Sequence, residues 1–328
     1  MRTIFHMANN QYTFTNPVTL YPTGQPPEQH QEGPGTEQGQ FPNPDVGEDS
    51  YEGKGRLRGR KALITGGDSG IGAAVAIAFA REGADVAISY LAAEQIDADR
   101  TIRLIEEAGR TAVALPGDIT DSLHCRTMVA EAVSQLGGLD ILVNNAGKQQ
   151  FTEDLLELSD EQFAETLDTN ISAMFWITKA ALPHLGAGST IINTSSIQAY
   201  KPSGILVDYA TTKAAINTFS KALSQQLAPK GIRVNVVAPG PIWTPLQTAG
   251  GQPPSALPTT GEETALGRWG QPAELAPAYV FLASPESSFV VGATLNVDGG
   301  MPNPEPSTRT PATDASLRQP LSGGSHQA

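Results

Sequence analysis

The sequence predicts one α/β domain built on a doubly wound parallel sheet of about seven strands flanked by helices. Short, almost continuous apolar runs recur along the chain, which is the pattern of strands that are buried on both faces. Segments with apolar residues at three- and four-residue steps separate these runs, as in helices that cover a sheet. Strand–helix alternation repeated this often is typical of a parallel sheet.

The candidate strands are, in order, KALITG, DVAISY, TAVALPG, DILVNNAG, STIINTSS, IRVNVVAPG and ATLNVDGG. The clearest helical segments are 71–84, which ends at a glycine, and 209–231, in which Ala, Ile and Phe repeat at helical spacing. We therefore expect a Rossmann-type sheet within a single domain that spans residues 56–301.

The two ends of the chain, 1–55 and 302–328, have little apolar periodicity and are rich in Pro and polar residues. Segment 302–328 is predicted to be a disordered tail. Composition favours the same state for the N-terminal arm, defined as residues 1–55. Its aromatic residues favour an ordered strap from about residue 10 to 55, over the body or a neighbouring subunit, because aromatic rings bury large areas. These residues are Tyr12, Phe14, Tyr21, Phe41 and Tyr51.

Charge and hydropathy exclude several function classes. The 328-residue chain has a formal net charge of −13, which argues against a nucleic-acid partner, since such a partner requires a basic surface. The apolar runs are too short to span a bilayer, and the N-terminus lacks the apolar segment of a secretory signal. We expect a cytoplasmic protein without a metal site. Cys125, the single cysteine, is predicted to be a small packed residue.

The first strand runs into a glycine-rich turn, TGGDSGIG, which opens a helix. Glycines let the backbone turn tightly and approach a pyrophosphate held at a helix N-terminus. The spacing G-x-x-x-G-x-G differs from the usual dinucleotide pattern G-x-G-x-x-G, and a plain loop is the alternative. The residues predicted to contact a dinucleotide here are Gly66, Asp68, Ser69, Gly70, Ile71 and Gly72.

The ends of the third and fourth strands extend the predicted cofactor site. Asp118 is followed by Ile119 and is placed to reach the adenine amino group; the alternative is that Asp118 caps the next helix. Asn145, Ala146 and Gly147 end the fourth strand at the edge where ligands of such sheets bind. A bare strand-end turn is the alternative there.

Tyr90, at the end of the second strand, bears on the choice of cofactor. An acid at this position would bind the adenosine ribose and repel a 2′-phosphate. The sequence has Ser89-Tyr90-Leu91 instead, with no acid before Glu94, and no Arg or Lys stands in the glycine-rich turn. This pattern predicts that NADP(H) is accepted, and we favour it over NAD(H).

Tyr209 and Lys213 are four residues apart at the start of a predicted helix, so their side chains share one face. A cation beside a phenol favours the phenolate, which suits Tyr209 to acid–base catalysis. Ser196 ends a strand thirteen residues upstream, and its hydroxyl could polarise a carbonyl on which charge develops. Taken alone, most Tyr-x-x-x-Lys pairs are surface residues.

Together, the motifs TGGDSGIG, NNAG, SS, YATTK and APGPIWT resemble the short-chain dehydrogenase/reductase family throughout the body. The resemblance implies an NAD(P)(H)-dependent oxidoreductase that moves hydride between nicotinamide and a carbonyl or alcohol. Tyr209 would exchange the substrate proton, while Lys213 would bind the nicotinamide ribose and lower the pKa of Tyr209. Ser196 would orient the carbonyl, chosen over Ser195 because of its distance to Tyr209. Asn170 would hold a water in a proton relay.

The loop after the sixth strand would meet the nicotinamide carboxamide through the backbone of Ile242 and the side chain of Thr244. Pro239 and Gly240 precede them and, without the resemblance, would only end a strand. The Pro- and Gly-rich segment 245–270 that follows is predicted to be a lid.

The candidate substrate residues are Gln149, Gln198 and Trp243, which suggest a polar pocket with one aromatic wall. Such a pocket suits a small aldehyde, ketone, sugar or polyol, although each residue could instead be structural. The arm and the runs AGKQ, SSIQAY and APGPIWTPLQ are similar to one branch of the family. That branch contains bacterial stress-associated NADP-dependent aldehyde reductases and glucose/ribitol dehydrogenase-like proteins.

Two alternatives stay open. A 3-ketoacyl carrier-protein reductase should need a basic patch, to which only Lys148, Lys201 and Arg268 could contribute. A non-catalytic cofactor-sensing protein should have a broken tetrad, whereas all four members are present. Enoyl reductases are disfavoured, because they usually space Tyr and Lys further apart. The resemblance also implies a homotetramer, paired here through segments 159–185 and 208–228.

Overall fold

The structure, a computed structural model, describes residues 10–22 and 26–301. Seven strands form one parallel sheet in the order β3-β2-β1-β4-β5-β6-β7. The predicted fold class is confirmed. The strands are β1 Lys61–Thr65, β2 Asp85–Tyr90, β3 Ala112–Pro116, β4 Ile141–Asn144, β5 Thr190–Thr194, β6 Arg233–Pro239 and β7 Thr294–Val297.

Within the described ranges, eight α-helices connect and cover these strands. They are α1 Gly70–Arg81, α2 Gln95–Glu107, α3 Ser122–Leu136, α4 Asp160–Leu167, α5 Ala173–Ala181, α6 Val207–Leu227, α7 Leu257–Thr260 and α8 Pro272–Ala283. A π-helical turn, Asp168–Ser172, joins α4 to α5, so the helix predicted over 159–185 is continuous only through this distorted turn. Within the described residues, no helix is both long and apolar enough to cross a membrane.

Two apolar clusters cover the two faces of the sheet. One combines the inner faces of α1, α2 and α8, and the other those of α3, α5 and α6. Strand order reverses between β1 and β4, whose neighbours in the chain lie on opposite sides of the sheet. Crevices at the carboxyl ends of strands at such a reversal are where ligands bind in open α/β sheets.

The described part of the arm packs against the body through apolar and backbone contacts. Val46 and Tyr51 are buried in the same cluster as α1 and α8. The indole Nε1 of Trp243 donates to the carbonyl of Pro42 at 2.7 Å. The arm is therefore bonded to residues far along the chain.

The strap prediction assumes that the aromatic rings of the arm are buried, and most of them are not. Only Tyr51 is buried and Tyr21 half-buried, whereas Tyr12, Phe14 and Phe41 are exposed. Hydrogen bonds supply much of the attachment instead. Several of them join backbone groups of the arm to side chains of the body. The predicted disordered tail, 302–328, lies outside the described residues.

Candidate active site

A cavity of about 1070 Å³ opens at the carboxyl ends of the strands, around the reversal between β1 and β4. Most residues predicted for the site line it. These are Gly66, Asp68, Ser69, Gly70, Ile71, Tyr90, Asp118, Ile119, Asn145, Ala146, Gly147, Gln149, Ser196, Gln198, Tyr209, Lys213, Pro239, Gly240, Ile242 and Thr244. The predicted residues that do not line it are Gly72, Asn170 and Trp243.

The glycine-rich turn has the geometry that its sequence predicts. Gly70 is the first residue of α1 and has φ +52°. Residues other than glycine rarely adopt this backbone conformation. A Cβ on Gly72 would lie 1.7 Å from the carbonyl oxygen of Gly66, so Gly72 permits the tight turn rather than lining the cavity. Asn145 fixes the turn from β4, since its Nδ2 donates to Gly66 O at 3.1 Å.

One end of the cavity is acidic. Asp68 and Ser89 are buried, line the cavity, and have side-chain oxygens, Asp68 Oδ2 and Ser89 Oγ, without a hydrogen-bond partner in the described chain. Glu94 also lines it, and its carboxylate accepts from Leu91 N at 3.0 Å. Burial raises the pKa of Asp68 to about 6. Burial and the nearby Asp68 carboxylate raise the pKa of Glu94 to about 8.

These unsatisfied oxygens fit a nicotinamide dinucleotide. Buried polar groups are nearly always paired, and the ribose hydroxyls of a dinucleotide are donors of the kind that Asp68 Oδ2 lacks. At the same junction the N-terminus of α1 faces the cavity through Gly70 and Ile71, as a pyrophosphate requires.

Asp118 lines the cavity, and it is not the cap of the next helix. Asp121 caps α3 by accepting from Leu123 N at 2.8 Å. The Asp118 carboxylate accepts from Thr120 N and Thr120 Oγ1, both at 2.8 Å. This small turn fixes the Asp118 side chain at the cavity edge, and the helix-cap alternative is wrong.

Tyr209, Ser196 and Lys213 meet at the other end of the cavity. The Tyr209 hydroxyl is hydrogen-bonded to Ser196, and Lys213 Nζ lies 5.2 Å from the centroid of the Tyr209 ring. Burial raises the pKa of Tyr209 to about 12, and the bond with Ser196 acts in the opposite direction. Burial lowers the pKa of Lys213 to about 8. The predicted lowering of the Tyr209 pKa by Lys213 is therefore not the dominant effect in this structure.

Lys213 is held by β5 rather than by an acid. Its Nζ donates to the backbone carbonyl of Thr194 at 3.1 Å. Ser195, next along the chain, donates its hydroxyl to the backbone carbonyl of Lys213 at 2.8 Å. Thr194 itself bonds Tyr279 through its hydroxyl at 2.7 Å. These bonds set the position of α6 against β5 and hence of both Tyr209 and Lys213.

Asn170 lies in the π-helical turn and is buried. Its Oδ1 accepts from Lys148 N at 2.7 Å, and its Nδ2 donates to Lys148 O at 2.9 Å and to Thr212 Oγ1 at 3.0 Å. The side-chain amide is thus occupied by protein groups. Both amide hydrogens are used, and Oδ1 has one acceptor position left for the water predicted for a proton relay. π-Helical turns of this kind are frequent at functional sites.

Two of the three candidate substrate residues line the cavity, and the third does not. Gln149 and Gln198 line the cavity and are oriented by one bond each: Gln149 Nε2 donates to Gly251 O at 2.6 Å, and Gln198 Oε1 accepts from Ser203 N at 2.7 Å. The prediction that Trp243 forms an aromatic wall is wrong. Its ring is 1% exposed and packs edge-on against Trp269, with centroids 5.4 Å apart.

The arm contributes residues to this site that the sequence does not predict. Segment 30–35 lines the cavity. Gln31 is bonded to Thr248 in the predicted lid segment twice, through its backbone N–H at 2.9 Å and its Nε2 at 2.9 Å. Glu37 is buried, and its Oε1 accepts from Gly70 N at 2.7 Å, behind the glycine-rich turn. No local signal marks these residues, because their partners lie far along the chain.

Comparison with known proteins agrees with this geometry. Residues 66–302 match a family model described as enoyl-(acyl carrier protein) reductase. An uncharacterized oxidoreductase, YghA of Escherichia coli (strain K12), is 56% identical over 285 residues, covering 87% of this chain and 97% of that protein. The NADPH-dependent aldehyde reductase 1, chloroplastic, of Arabidopsis thaliana is 42% identical over 273 residues, covering 81% and 94% of the two chains.

A solved structure is also similar to this chain. The crystal structure of a short chain dehydrogenase from Burkholderia cenocepacia J2315 in complex with NADP superimposes with a TM-score of 0.70 at 36% identity. The match covers 75% of this chain and 98% of that one.

Proposed function

The chain belongs to the short-chain dehydrogenase/reductase family of oxidoreductases, and on that premise we propose that it transfers hydride between a nicotinamide cofactor and a small carbonyl or alcohol, with Tyr209 as the general acid and base. The observation that carries this proposal is the meeting of Tyr209 with Ser196 and Lys213 at one end of the cavity.

Each side chain has a distinct part in this chemistry. The nicotinamide supplies or accepts the hydride when it is bound. Tyr209 donates a proton to the carbonyl oxygen in reduction and removes it from the hydroxyl in oxidation. Ser196 donates to the same oxygen, on which negative charge develops in the transition state. A protonated Lys213 beside the phenol stabilises the phenolate that remains.

The relatives and the cavity point to different cofactors. The sequence predicts a preference for NADP(H), and two similar proteins, an NADPH-dependent aldehyde reductase and a dehydrogenase solved in complex with NADP, support acceptance of this cofactor. The acidic end of the cavity favours the opposite preference, because Asp68 and Glu94 line it.

The substrate class that fits best is a small polar aldehyde, ketone, sugar or polyol. Gln149 and Gln198 present amide groups to the cavity, and Gln150, Gln247 and Gln252 line it as well. Because Trp243 does not line the cavity, the pocket is more polar than the sequence predicts. A large apolar substrate such as a steroid would leave these amides unpaired.

The contacts disfavour a 3-ketoacyl carrier-protein reductase. Of the three candidate cations for an acidic carrier, Arg268 is 4% exposed and bonded to Glu274, and Lys148 is paired with Glu165. Only Lys201 remains on the surface. The description of the matched family model does not decide the substrate, since Tyr209 and Lys213 keep the four-residue spacing of carbonyl reductases.

Replacement of Tyr209 by Phe tests the mechanism. We expect turnover on a working aldehyde, ketone or polyol to fall by at least ~10²-fold, the usual contribution of a general acid–base group. Binding of the cofactor should survive, because the ring remains. A screen of these substrate classes with both NADH and NADPH, and with both oxidised cofactors, identifies the working substrate.

Tyr200→Phe is the matched control, since Tyr200 is 48% exposed and close in the chain but outside the cavity lining. Near-normal turnover of Tyr209→Phe would contradict the proposed mechanism. A cytoplasmic location and a homotetramer stay predictions. The half-exposed Phe163 and Phe175, on α4 and α5, are consistent with a subunit interface there.

A further inference from the structure

The acidic end of the cavity decides which dinucleotide fits. It lies over β1, β2 and β3, and it is lined by Asp68, Ser89, Tyr90, Glu94 and Asp118. Tyr209 and Lys213 lie over β5 and mark the nicotinamide end. In a sheet of this topology the adenosine half of a dinucleotide therefore lies over the first end, against Asp68 and its neighbours.

Asp68 and Ser89 each have a buried side-chain oxygen that no described residue binds. Asp68 is 3% exposed and Ser89 is 1% exposed, yet Asp68 Oδ2 and Ser89 Oγ have no partner among the described residues. A buried acceptor without a donor is costly, more so when it is charged. Both residues line the cavity, so a ligand hydroxyl can supply the missing donor. The 2′- and 3′-hydroxyls of an adenosine ribose are such donors.

This end of the cavity carries acidic side chains. Asp68 and Glu94 line the cavity, and Asp97 lies behind them, 4% exposed. Because the pKa of Glu94 is about 8 and that of Asp68 about 6, Asp68 supplies most of the negative charge at neutral pH. Arg100, a cation of α2 that acts on Asp97, is bonded to Glu37 and Glu48 of the arm and is therefore already paired. A 2′-phosphate, which carries two negative charges, would meet carboxylates here rather than a free cation.

The other cations of the cavity wall are engaged elsewhere. Among the described lining residues they are His30, Lys148 and Lys213. Lys213 is bonded to Thr194 O at the nicotinamide end, and Lys148 is paired with Glu165. His30 lies 3.8 Å from Glu32 in the arm. None of the three is bonded to Asp68 or Glu94.

We propose that Asp68, aided by Ser89 and Glu94, binds the hydroxyls of the adenosine ribose and selects NAD(H) against NADP(H). This inference rests on the proposed function of the same cavity, and it reverses the preference predicted from the sequence. That prediction considered the end of β2, where Tyr90 stands. The carboxylates instead come from the glycine-rich turn and from the 3₁₀ turn after β2, Ala92–Glu94.

Fluorescence titration of the full chain with NADH and with NADPH, without any substrate, tests the proposal. We expect NADH to bind at least ~10-fold more tightly than NADPH. Asp68→Asn keeps the shape but removes the charge, and should reduce this ratio by at least ~10-fold. Glu94→Gln should shift the ratio in the same direction by less. Because Glu94 is only half-buried, it carries the test if Asp68→Asn does not fold.

Glu106→Gln is the matched control: Glu106 is on α2, the helix that follows Glu94, but it is exposed and outside the cavity lining. An unchanged ratio in this variant shows that a local charge, rather than the total charge, sets the preference. Equal or tighter binding of NADPH by the native chain would overturn the selectivity and leave the proposed oxidoreductase function intact. Failure to bind either dinucleotide would overturn both. If the ratio of NADH to NADPH affinity is unchanged in both Asp68→Asn and Glu94→Gln, the proposed selectivity is also wrong.

Discussion

Ser195 and Ser196 are adjacent in the chain, and their hydroxyls have opposite roles. Ser196 reaches the Tyr209 hydroxyl, whereas Ser195 donates to the backbone carbonyl of Lys213. The thirteen-residue gap to Tyr209 predicts Ser196, and the structure places Ser196 beside the Tyr209 hydroxyl although both serines line the cavity.

Trp243 is the exception in a loop whose other residues line the cavity. Ile242 and Thr244 line it on either side, whereas the Trp243 side chain packs into a cluster with Leu257 and Trp269. The residue type and its place in the loop predict a pocket wall. The apolar partners that bury Trp243 lie later in the chain, so no local pattern marks it as a core residue.

The two serines allow a paired test. Ser196→Ala should lower kcat by roughly 100- to 1000-fold with little loss of stability, because it removes a donor needed as charge develops on the substrate oxygen. Ser195→Ala should cost about 1 kcal/mol of unfolding free energy and have the smaller effect on kcat. Steady-state kinetics and urea unfolding of both variants measure these effects. The reverse order of the two kcat losses would refute the assignment of Ser196.

At the scale of elements, the sequence predicted the regular strands and helices well, since their apolar periodicity is local. It could not predict how the arm attaches to α1. Glu82, just after α1, is 0% exposed, and its carboxylate accepts from Tyr51 OH at 2.7 Å and from Lys54 N and Arg56 N at 2.9 Å each. Arg56 also forms an ion pair with it. An isolated Glu after a helix gives no sign of such a cluster.

This cluster makes stability depend on acid. Burial opposes ionisation of Glu82, but the bonds from Arg56, Tyr51 and Lys54 outweigh it and lower the pKa of Glu82 from 4.5 to about 2. The folded state thus binds the proton less readily than the unfolded state does. Its stabilisation is present above about pH 4.5 and is lost as the pH falls towards 2.

Glu82→Gln should therefore lower the unfolding free energy at pH 7 by about 3 kcal/mol, because Arg56 loses its partner. The difference between the variant and the native chain should shrink as the pH approaches 3. Urea unfolding at pH 7, 5 and 3 measures both effects. Glu107→Gln, whose pair with Arg103 is exposed, should change stability by less than ~0.5 kcal/mol. A difference for Glu82→Gln that is the same at every pH would contradict the assigned pKa.

For the whole molecule, the sheet order followed from the alternation of strands and helices, whereas the path of the arm did not. Composition gave two answers, a disordered tail and a strap, because Pro and Gly are common to both. The contacts that distinguish them lie in other parts of the chain: Gln31 on Thr248, Pro42 on Trp243, and Asp45 N on Gln271 Oε1 at 2.9 Å.

Removal of residues 1–54 tests the strap prediction. We expect Tm to fall by more than ~5 °C, because Val46 and Tyr51 leave the core and several buried bonds are lost. Light scattering reports whether the assembly becomes smaller. A lower Tm with unchanged mass would show a strap within one subunit. Unchanged mass and Tm would show that the arm contributes nothing. Removal of 302–328 is the control, with no change expected.

The attachment of the arm also fixes an order of events during synthesis. The residues that Pro42, Gln31 and Asp45 bind are 201, 217 and 226 positions later in the chain. The arm leaves the ribosome first, since synthesis runs from the N-terminus, and its partners emerge in two groups. Gly70 and Glu82, which bind Glu37 and Tyr51, are made soon after the arm, whereas Trp243, Thr248 and Gln271 are made late. A nascent or truncated chain that stops before residue 240 can therefore seat the arm behind the glycine-rich turn but cannot tie it to the segment that follows β6. Full docking of the arm becomes a check on completeness, because its second set of bonds forms only when almost the whole domain has been made.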